Sequence, residues 1–446
     1  MANNAPMNCA ENACMNCARA TYANAVVIPQ LGHGIPSAAG QEHMGKPICS
    51  CVPIPRASGV SVAAITKGAN NAPAKSRTSP RVVGLIIDTS DMTQECNCCF
   101  KGLDTPYSGG QNAIMTTAHQ HARIDGHLDL AYLAMQGIDL ESISPDSTRY
   151  GVNFPALVTG EFKIIFATLF TEVGCDEPWG YANHMDVDAA ARAARLQLRL
   201  YQGLESRGVI RIVRTQADLN DWNSPGPIRV VILMEGADPI ESPERAKWWF
   251  EQGVRMVGLT WAKGSRYAGG NAAPGALTAA GRDMVQSLDA LGIIHDLSHL
   301  SDQACAQVIA LSKGAIVSSH SNCRSLVPGN ERHLTDETIR AISARAGVCG
   351  LNLYGKFLAH DRVATMDDVV RHVKHVREVG GAKCLAFGSD FDGGFTPSDC
   401  PARAQRPEDA PHIEQALAQA GLTPEELAGF RSENWLRVLR ASLPKN

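Results

Sequence analysis

The sequence predicts an α/β fold, a (β/α)8 TIM-type barrel over residues 121–446, with a poorly structured N-terminal extension over residues 1–120. Three observations carry this. Short β-rich runs recur from residue 123 to residue 389. Helical stretches lie between most of them, the alternation expected of a parallel sheet wrapped by helices. Residues before about 120 are instead rich in Ala, Asn, Pro, Gly and Ser and show little periodicity.

The strands are expected at Arg123–His127, Lys163–Phe170, Ile228–Met234, Met256–Thr260, Ile293–Leu297, Ala315–Ser319, Val348–Leu353 and Leu385–Ser389. The helices are expected at Val187–Gln202, Pro243–Gln252, Thr278–Leu291, Ser301–Leu311, Asp336–Arg345 and Thr365–Val379. The first of these is Ala-, Arg- and Leu-rich, with Asp186 and Asp188 near its start, where carboxylates suit the helix dipole. A doubly wound open sheet is the structural competitor. No glycine-rich dinucleotide or P-loop fingerprint follows an early strand, which counts against that fold's usual functions.

Composition narrows the function classes. The chain has 446 residues, 44% of them hydrophobic, and a net charge of −4. The mild acidity leaves no footprint for nucleic acid or an anionic membrane. No apolar run is long enough for a transmembrane helix, and the first residues lack the basic and apolar regions of a secretory signal. A cytoplasmic protein with reduced thiols is expected. Of 14 cysteines, eight precede residue 100. Cys14/Cys17, Cys49/Cys51 and Cys96/Cys98/Cys99 lack the paired spacing of a zinc module, so free thiols are expected there. One candidate strand, Val82–Ile87, interrupts the extension.

The chemistry collects at the strand ends. In such a barrel the active site lies at the C-terminal ends of the strands. Ile-Asp-Gly-His127-Leu-Asp129 closes the first strand. Strand residues i and i+2 face the same way, so one imidazole and one carboxylate can reach one ion. Strand three ends on Glu235, strand five on His299, strand six on His320 and strand eight on Asp390. Each alone reads as a cap or a hydrogen-bonded loop residue. Five strand ends presenting His or carboxylate together point to a metal site of nitrogen and oxygen ligands, which suits zinc. His127, Asp129, Glu235, His299 and His320 can hold two zinc ions if Glu235 bridges them. Asp390 is then left for proton transfer.

These stretches resemble the membrane dipeptidase (renal dipeptidase) family of zinc peptidases, within the amidohydrolase-type barrels. The matching motifs are DGHLDL (125–130), MEGAD (234–238), GVRMVGLTW (253–261), DLSHLS (296–301), SSHSNCRSL (318–326), ERHLTDETIRAI (331–342), FGSDFDGGF (387–395) and the closing ENWLRVLRASLP. They cover about residues 124 to 440. The resemblance implies hydrolysis of small dipeptides through a metal-bridging hydroxide. His127 and Asp129 would hold the first zinc, His299 and His320 the second, with Glu235 between them. It implies that Asp390 passes a proton to the leaving amine, that Arg332 grips the substrate carboxylate, and that the chain forms a homodimer. A guanidinium fork suits a carboxylate independently of the family.

One position departs from the family. Its strand-four motif ends in Leu-Thr-His, whereas here it is Leu259-Thr260-Trp261. Indole donates one hydrogen bond but cannot become cationic. Lys263, Arg266 and Tyr267 are the candidates to compensate from the same loop. Trp261 keeps a second reading open, a binuclear hydrolase of another amide, a lactam or a lactone. A catalytically silent barrel used for binding is the reading from a different class. Loss of a ligand would have favoured it, and none is lost.

Overall fold

The computed structural model describes residues 121–143 and 150–445. Val82–Ile87, the cysteine groups before residue 100 and the whole expected extension lie outside the described residues. The eight barrel strands are β1 (Arg123–Leu128), β2 (Phe162–Phe170), β3 (Ile228–Glu235), β4 (Val254–Gly258), β5 (Ile294–Asp296), β6 (Ile316–Val317), β7 (Cys349–Leu351) and β8 (Leu385–Phe387). They pair in parallel in the order β6-β5-β4-β3-β2-β1-β8-β7. A parallel bridge between Ser318 and Cys349 joins β6 to β7 and closes the ring. The fold is therefore a (β/α)8 barrel.

Period-two alternation separates the two faces of each strand. Ile164 and Phe166 of β2 pack with Val231, Leu233, Met256, Ile294 and Val317 in one cluster. Their neighbours Ile165, Ala167 and Leu169 belong to the larger cluster beneath the helices. Both sets are buried because helices cover the outside and side chains fill the inside. The helices around the barrel include α1 (Val187–Ser206), α2 (Ala246–Glu251), α3 (Ala279–Leu291), α4 (Asp302–Leu311), α5 (Asp336–Ala344), α6 (Met366–Gly380), α7 (Ala410–Gln419) and α8 (Asn434–Ser442). Side-chain caps at Asp186, Thr278, Ser301 and Thr335 start four of them.

The last helix sits at the end where the strands begin. Asn434 donates to the carbonyls of Ala382 and Leu385, and Arg437 to those of Ala346 and Lys383. Trp435 reaches inward, its indole N–H bonded to the Phe387 carbonyl at 2.8 Å and its ring 4.4 Å from that of Phe166. Gly126 has no Cβ because one would stand 2.4 Å from the Trp435 ring.

Strand bounds differ from expectation most at the C-terminal ends. β8 was expected to run to Ser389 and stops at Phe387; β6 was expected to run to Ser319 and stops at Val317. The Ser389 N–H bonds the Asp125 carboxylate at 2.9 Å, and the Ser319 N–H bonds that of Asp296 at 2.9 Å. A side chain thus takes the donor that would have continued the ladder. The chain flares, and the next residue, Asp390 or His320, turns toward the mouth. β4 lies two residues earlier than expected, and the helix expected at Pro243–Gln252 opens with a 3-10 turn before α2.

Candidate active site

The strand ends deliver six side chains to one cavity of about 290 Å³ at the C-terminal mouth. His127, Asp129, Glu235, His299, His320 and Asp390 all line it. His127 Nε2 stands 3.7 Å from an Asp129 oxygen and 3.7 Å from Glu235 Oε2. Glu235 Oε1 lies 3.2 Å from His299 Nε2 and 3.6 Å from His320 Nε2. Two groups are tight enough to hold an ion: His127, Glu235 and His320, and His127, Asp129 and Asp390. His127 belongs to both.

Two of the six have unusual backbones. His299 has φ 65° and Asp390 has φ 58°. Non-glycine residues seldom adopt this left-handed region, and such conformations gather at sites where a side chain must be aimed. Gly393 accommodates Asp390, since a Cβ there would lie 2.2 Å from its carboxylate.

The donor set fits a cation. His127 is fully buried, yet its Nε2 has no hydrogen-bond partner among the described residues. His299 Nδ1 meets Asn271 Oδ1 at 3.1 Å, an oxygen that only accepts, so this nitrogen carries the proton. Its Nε2 is then bare, and it faces His320 Nε2 at 3.1 Å. Ring nitrogens this close beside a carboxylate are the arrangement of a metal site with N and O ligands. The electrostatics agree. Burial opposes charge on His127, but Glu235 and Asp129 push its pKa up to about 10. Burial drives His299 and His320 well below the usual imidazole range. Burial also raises Glu235 well above the carboxylate range and Asp390 to about 6. The cavity calls for positive charge and leaves two histidines neutral to supply lone pairs.

Neighbours fix these side chains. Thr168 donates to Asp129. Asn352 donates to Asp390 Oδ2 at 2.8 Å. Asp125 accepts from the His127 N–H and from the Ser389 hydroxyl. Asp296 accepts from the N–H of Ser298 and from both the N–H and hydroxyl of Ser319. Sequence reasoning assigned no role to Asp125, Asp296, Ser319, Asn271 or Asn352. The first two open the motifs DGH and DLSH, and that was the available signal.

Two aromatic groups wall the cavity. Phe170 sits edge-on to Trp261, centroids 5.2 Å apart, and to Tyr132 at 5.7 Å. Tyr354 stacks on Phe395 at 4.5 Å and meets Phe357 edge-on at 5.0 Å. The Trp261 ring lies 6.0 Å from that of His299. Of the residues expected to compensate for Trp261, Lys263 alone stays near: its ammonium pairs with Glu172 at 2.7 Å and lies over the indole. Arg266 and Tyr267 are directed elsewhere, bonded to the carbonyls of Asp238 and Ile240. Arg332 is buried beside the metal-type residues rather than on the cavity wall. It donates to the His320 carbonyl at 2.6 Å and to Ser321 Oγ, and its Nε has no partner among the described residues.

Fold and site together define a metal-dependent hydrolase on a (β/α)8 barrel. The model of the membrane dipeptidase family (peptidase family M19) matches residues 112–444. The chain belongs to that family and is a metallo-dipeptidase. An uncharacterised protein of Klebsiella pneumoniae, from the pqqA 5′ region, is 30% identical over 249 residues, 53% of this chain and 90% of its own length. Dipeptidase aclJ of Aspergillus oryzae is 30% identical over 227 residues, 49% of this chain and 53% of its own. The matched stretch spans about half the length of the curated dipeptidases it resembles. Among solved structures, dipeptidase AC superposes with a TM-score of 0.64 at 23% identity, covering 73% of this chain and 99% of its own. A Rhodobacter sphaeroides metallopeptidase liganded with a phosphinate mimic of L-Ala-D-Ala gives 0.63 at 22% identity, covering 72% and 99%. Both share the fold.

Proposed function

We propose that the chain is a zinc-dependent dipeptidase with two ions per barrel. His127 and Asp129 would hold one ion and His299 and His320 the other, with Glu235 available to both. The convergence of these five residues and Asp390 on one cavity carries the reading. Zinc, when bound, polarises the scissile carbonyl and makes water a nucleophile near neutral pH.

The protein's own groups do the rest. A dipeptide enters between the two aromatic walls. Asn352 occupies one oxygen of Asp390 and leaves the other to act. Asp390 takes the proton of the attacking water. It gives that proton to the amine nitrogen as the C–N bond breaks. Arg332 lies behind the cavity wall, with only its Nε without a partner among the described residues; its part in binding the terminal carboxylate rests on the family resemblance and on the fit of a guanidinium to a carboxylate. Trp261 shapes the pocket against the substrate side chain.

The same indole favours a second reading, a small amide, lactam or lactone, because its wall is apolar where a cationic ring would suit a carboxylate-rich substrate. A panel of dipeptides with L- and D-residues at the C-terminal position, together with simple lactams and lactones, separates the two. The dipeptidase reading expects kcat/KM to be highest on dipeptides. Turnover confined to lactams or lactones would refute it.

A homodimer, rested on the family resemblance, and a cytoplasmic location complete the proposal. Cys175, Cys305, Cys323, Cys349, Cys384 and Cys400 are all free thiols, in keeping with a reducing compartment. Among the described residues no helix is long and apolar enough to cross a membrane.

A further inference from the structure

We propose that Ser319 is a positioning residue shared by both halves of the metal site. Its hydroxyl, held by Asp296, fixes the ring protons of His320 and His127 on Nδ1. Both Nε2 atoms are thereby turned toward the cavity. The inference rests on the metal reading above and adds to it the device that prepares two ligands at once.

The protons around Ser319 are fixed by its partners. Asp296 Oδ1 accepts the N–H groups of Ser298 and Ser319 at 3.0 and 2.9 Å. Its Oδ2 lies 2.5 Å from Ser319 Oγ. A carboxylate only accepts, so the one hydroxyl proton of Ser319 is committed to it. The lone pairs of that oxygen are left to accept. His320 Nδ1 approaches at 2.7 Å and His127 Nδ1 at 3.4 Å. Each must therefore present its proton there. The opposite nitrogen of each ring is then the one that an ion would meet. A metal-bound imidazole is commonly oriented through its other N–H in this way.

Packing keeps the arrangement from relaxing. Ser319 is fully buried and Asp296 nearly so. A Cβ at either Gly350 or Gly388 would lie 1.8 Å from the Ser319 carbonyl, so the serine backbone is gripped between them. Ser298 Oγ, 3.2 Å from Ser319 Oγ, receives the His320 N–H at 3.3 Å. The His127 and His320 rings stack with centroids 3.6 Å apart. One hydroxyl thus governs a ligand assigned to each ion.

Substituting Asp296→Asn tests the logic at constant size. The asparagine oxygen can still accept the two backbone N–H groups, while its amide donates to Ser319 Oγ. The serine proton is released to face His320 Nδ1, which becomes an acceptor, and the imidazole proton moves to Nε2. The ring is then blocked toward the ion. Ser319→Ala removes the anchor altogether.

Two measurements on the full-length protein decide it. In metal-stripped wild-type protein labelled with 15N-histidine, long-range 1H–15N spectra are expected to show His320 protonated at Nδ1. In Asp296→Asn the proton is expected at Nε2. Zinc competition with a chromophoric chelator, starting from the loaded proteins, is expected to show both variants holding zinc about 10–100-fold more weakly. A wild-type His320 protonated at Nε2 would overturn the inference. So would an Asp296→Asn protein that melts lower but keeps the wild-type tautomer, the mark of a merely structural role. Wild-type zinc affinity in both variants would remove Ser319 while leaving the metal reading intact. Wild-type protein that holds no zinc would remove both. If Ser319→Ala does not fold, the wild-type spectrum and Asp296→Asn still decide.

Discussion

Asp390 is held in a left-handed backbone, with one carboxylate oxygen bonded to Asn352 and its ring of neighbours made of other functional groups. A residue placed only to cap the following Gly393-Gly394 turn would not need the cavity. Asp390→Asn keeps the size and most hydrogen bonds but cannot shuttle a proton. We expect kcat to fall by about 10²–10⁴-fold, with zinc content and melting temperature little changed. Near-normal turnover with a lowered melting temperature would return Asp390 to a structural role. Arg332 gives a second residue-scale prediction. Arg332→Lys loses the fork and is expected to raise KM for dipeptides more than it lowers kcat. An unchanged KM would detach Arg332 from the substrate. At this scale the sequence was informative about ligands, because His and carboxylate recur after apolar runs. It was silent about their orientation. The bond from Ser319 to Asp296 joins the end of β5 to the second residue past β6, which the pairing of those two strands brings side by side.

The elements were legible as alternating runs, and their ends were not. β1, β2 and β3 begin and end within a residue of expectation. β6 and β8 stop early because carboxylates capture backbone donors, an event that no propensity records. The plug formed by α8 was visible only as a motif, since nothing in its amphipathic pattern says which end of the barrel it closes. Its weight can be measured. Trp435 is fully buried, and Trp435→Ala is expected to cost about 3–5 kcal/mol in urea unfolding. A loss under about 1 kcal/mol would mean that the barrel end collapses onto the gap.

The loop-and-helix layer around α6 adds a pH dependence. His372 accepts the Cys323 N–H on Nδ1 at 3.1 Å and faces the Leu358 carbonyl with Nε2. Burial lowers its pKa to about 4, and burial lowers that of His333 beside it to about 3. Both are therefore neutral in the folded protein where the unfolded chain already takes up protons, below about pH 6.5. Their contribution is fully present above that pH and is lost as pH falls toward the folded values. The melting temperature of zinc-loaded protein should drop between pH 7 and pH 5, and His372→Gln should flatten the drop. An identical slope in the variant would refute the assignment.

For the whole molecule, we expect a barrel that carries the chemistry and an extension over residues 1–120 that does not. The family match begins at residue 112, inside that expected extension. Deleting residues 1–115 is expected to leave a soluble barrel with wild-type kcat/KM. Insolubility or loss of zinc would show that the segment belongs to the folded unit. The central claim concerns what the barrel mouth holds, and metal content read beside activity tests it most directly. Full-length protein should carry about two zinc ions per chain, lose dipeptide hydrolysis on exhaustive chelation, and regain it when zinc is returned. Protein that stays fully active after its metal has been stripped would show that the barrel mouth works without an ion.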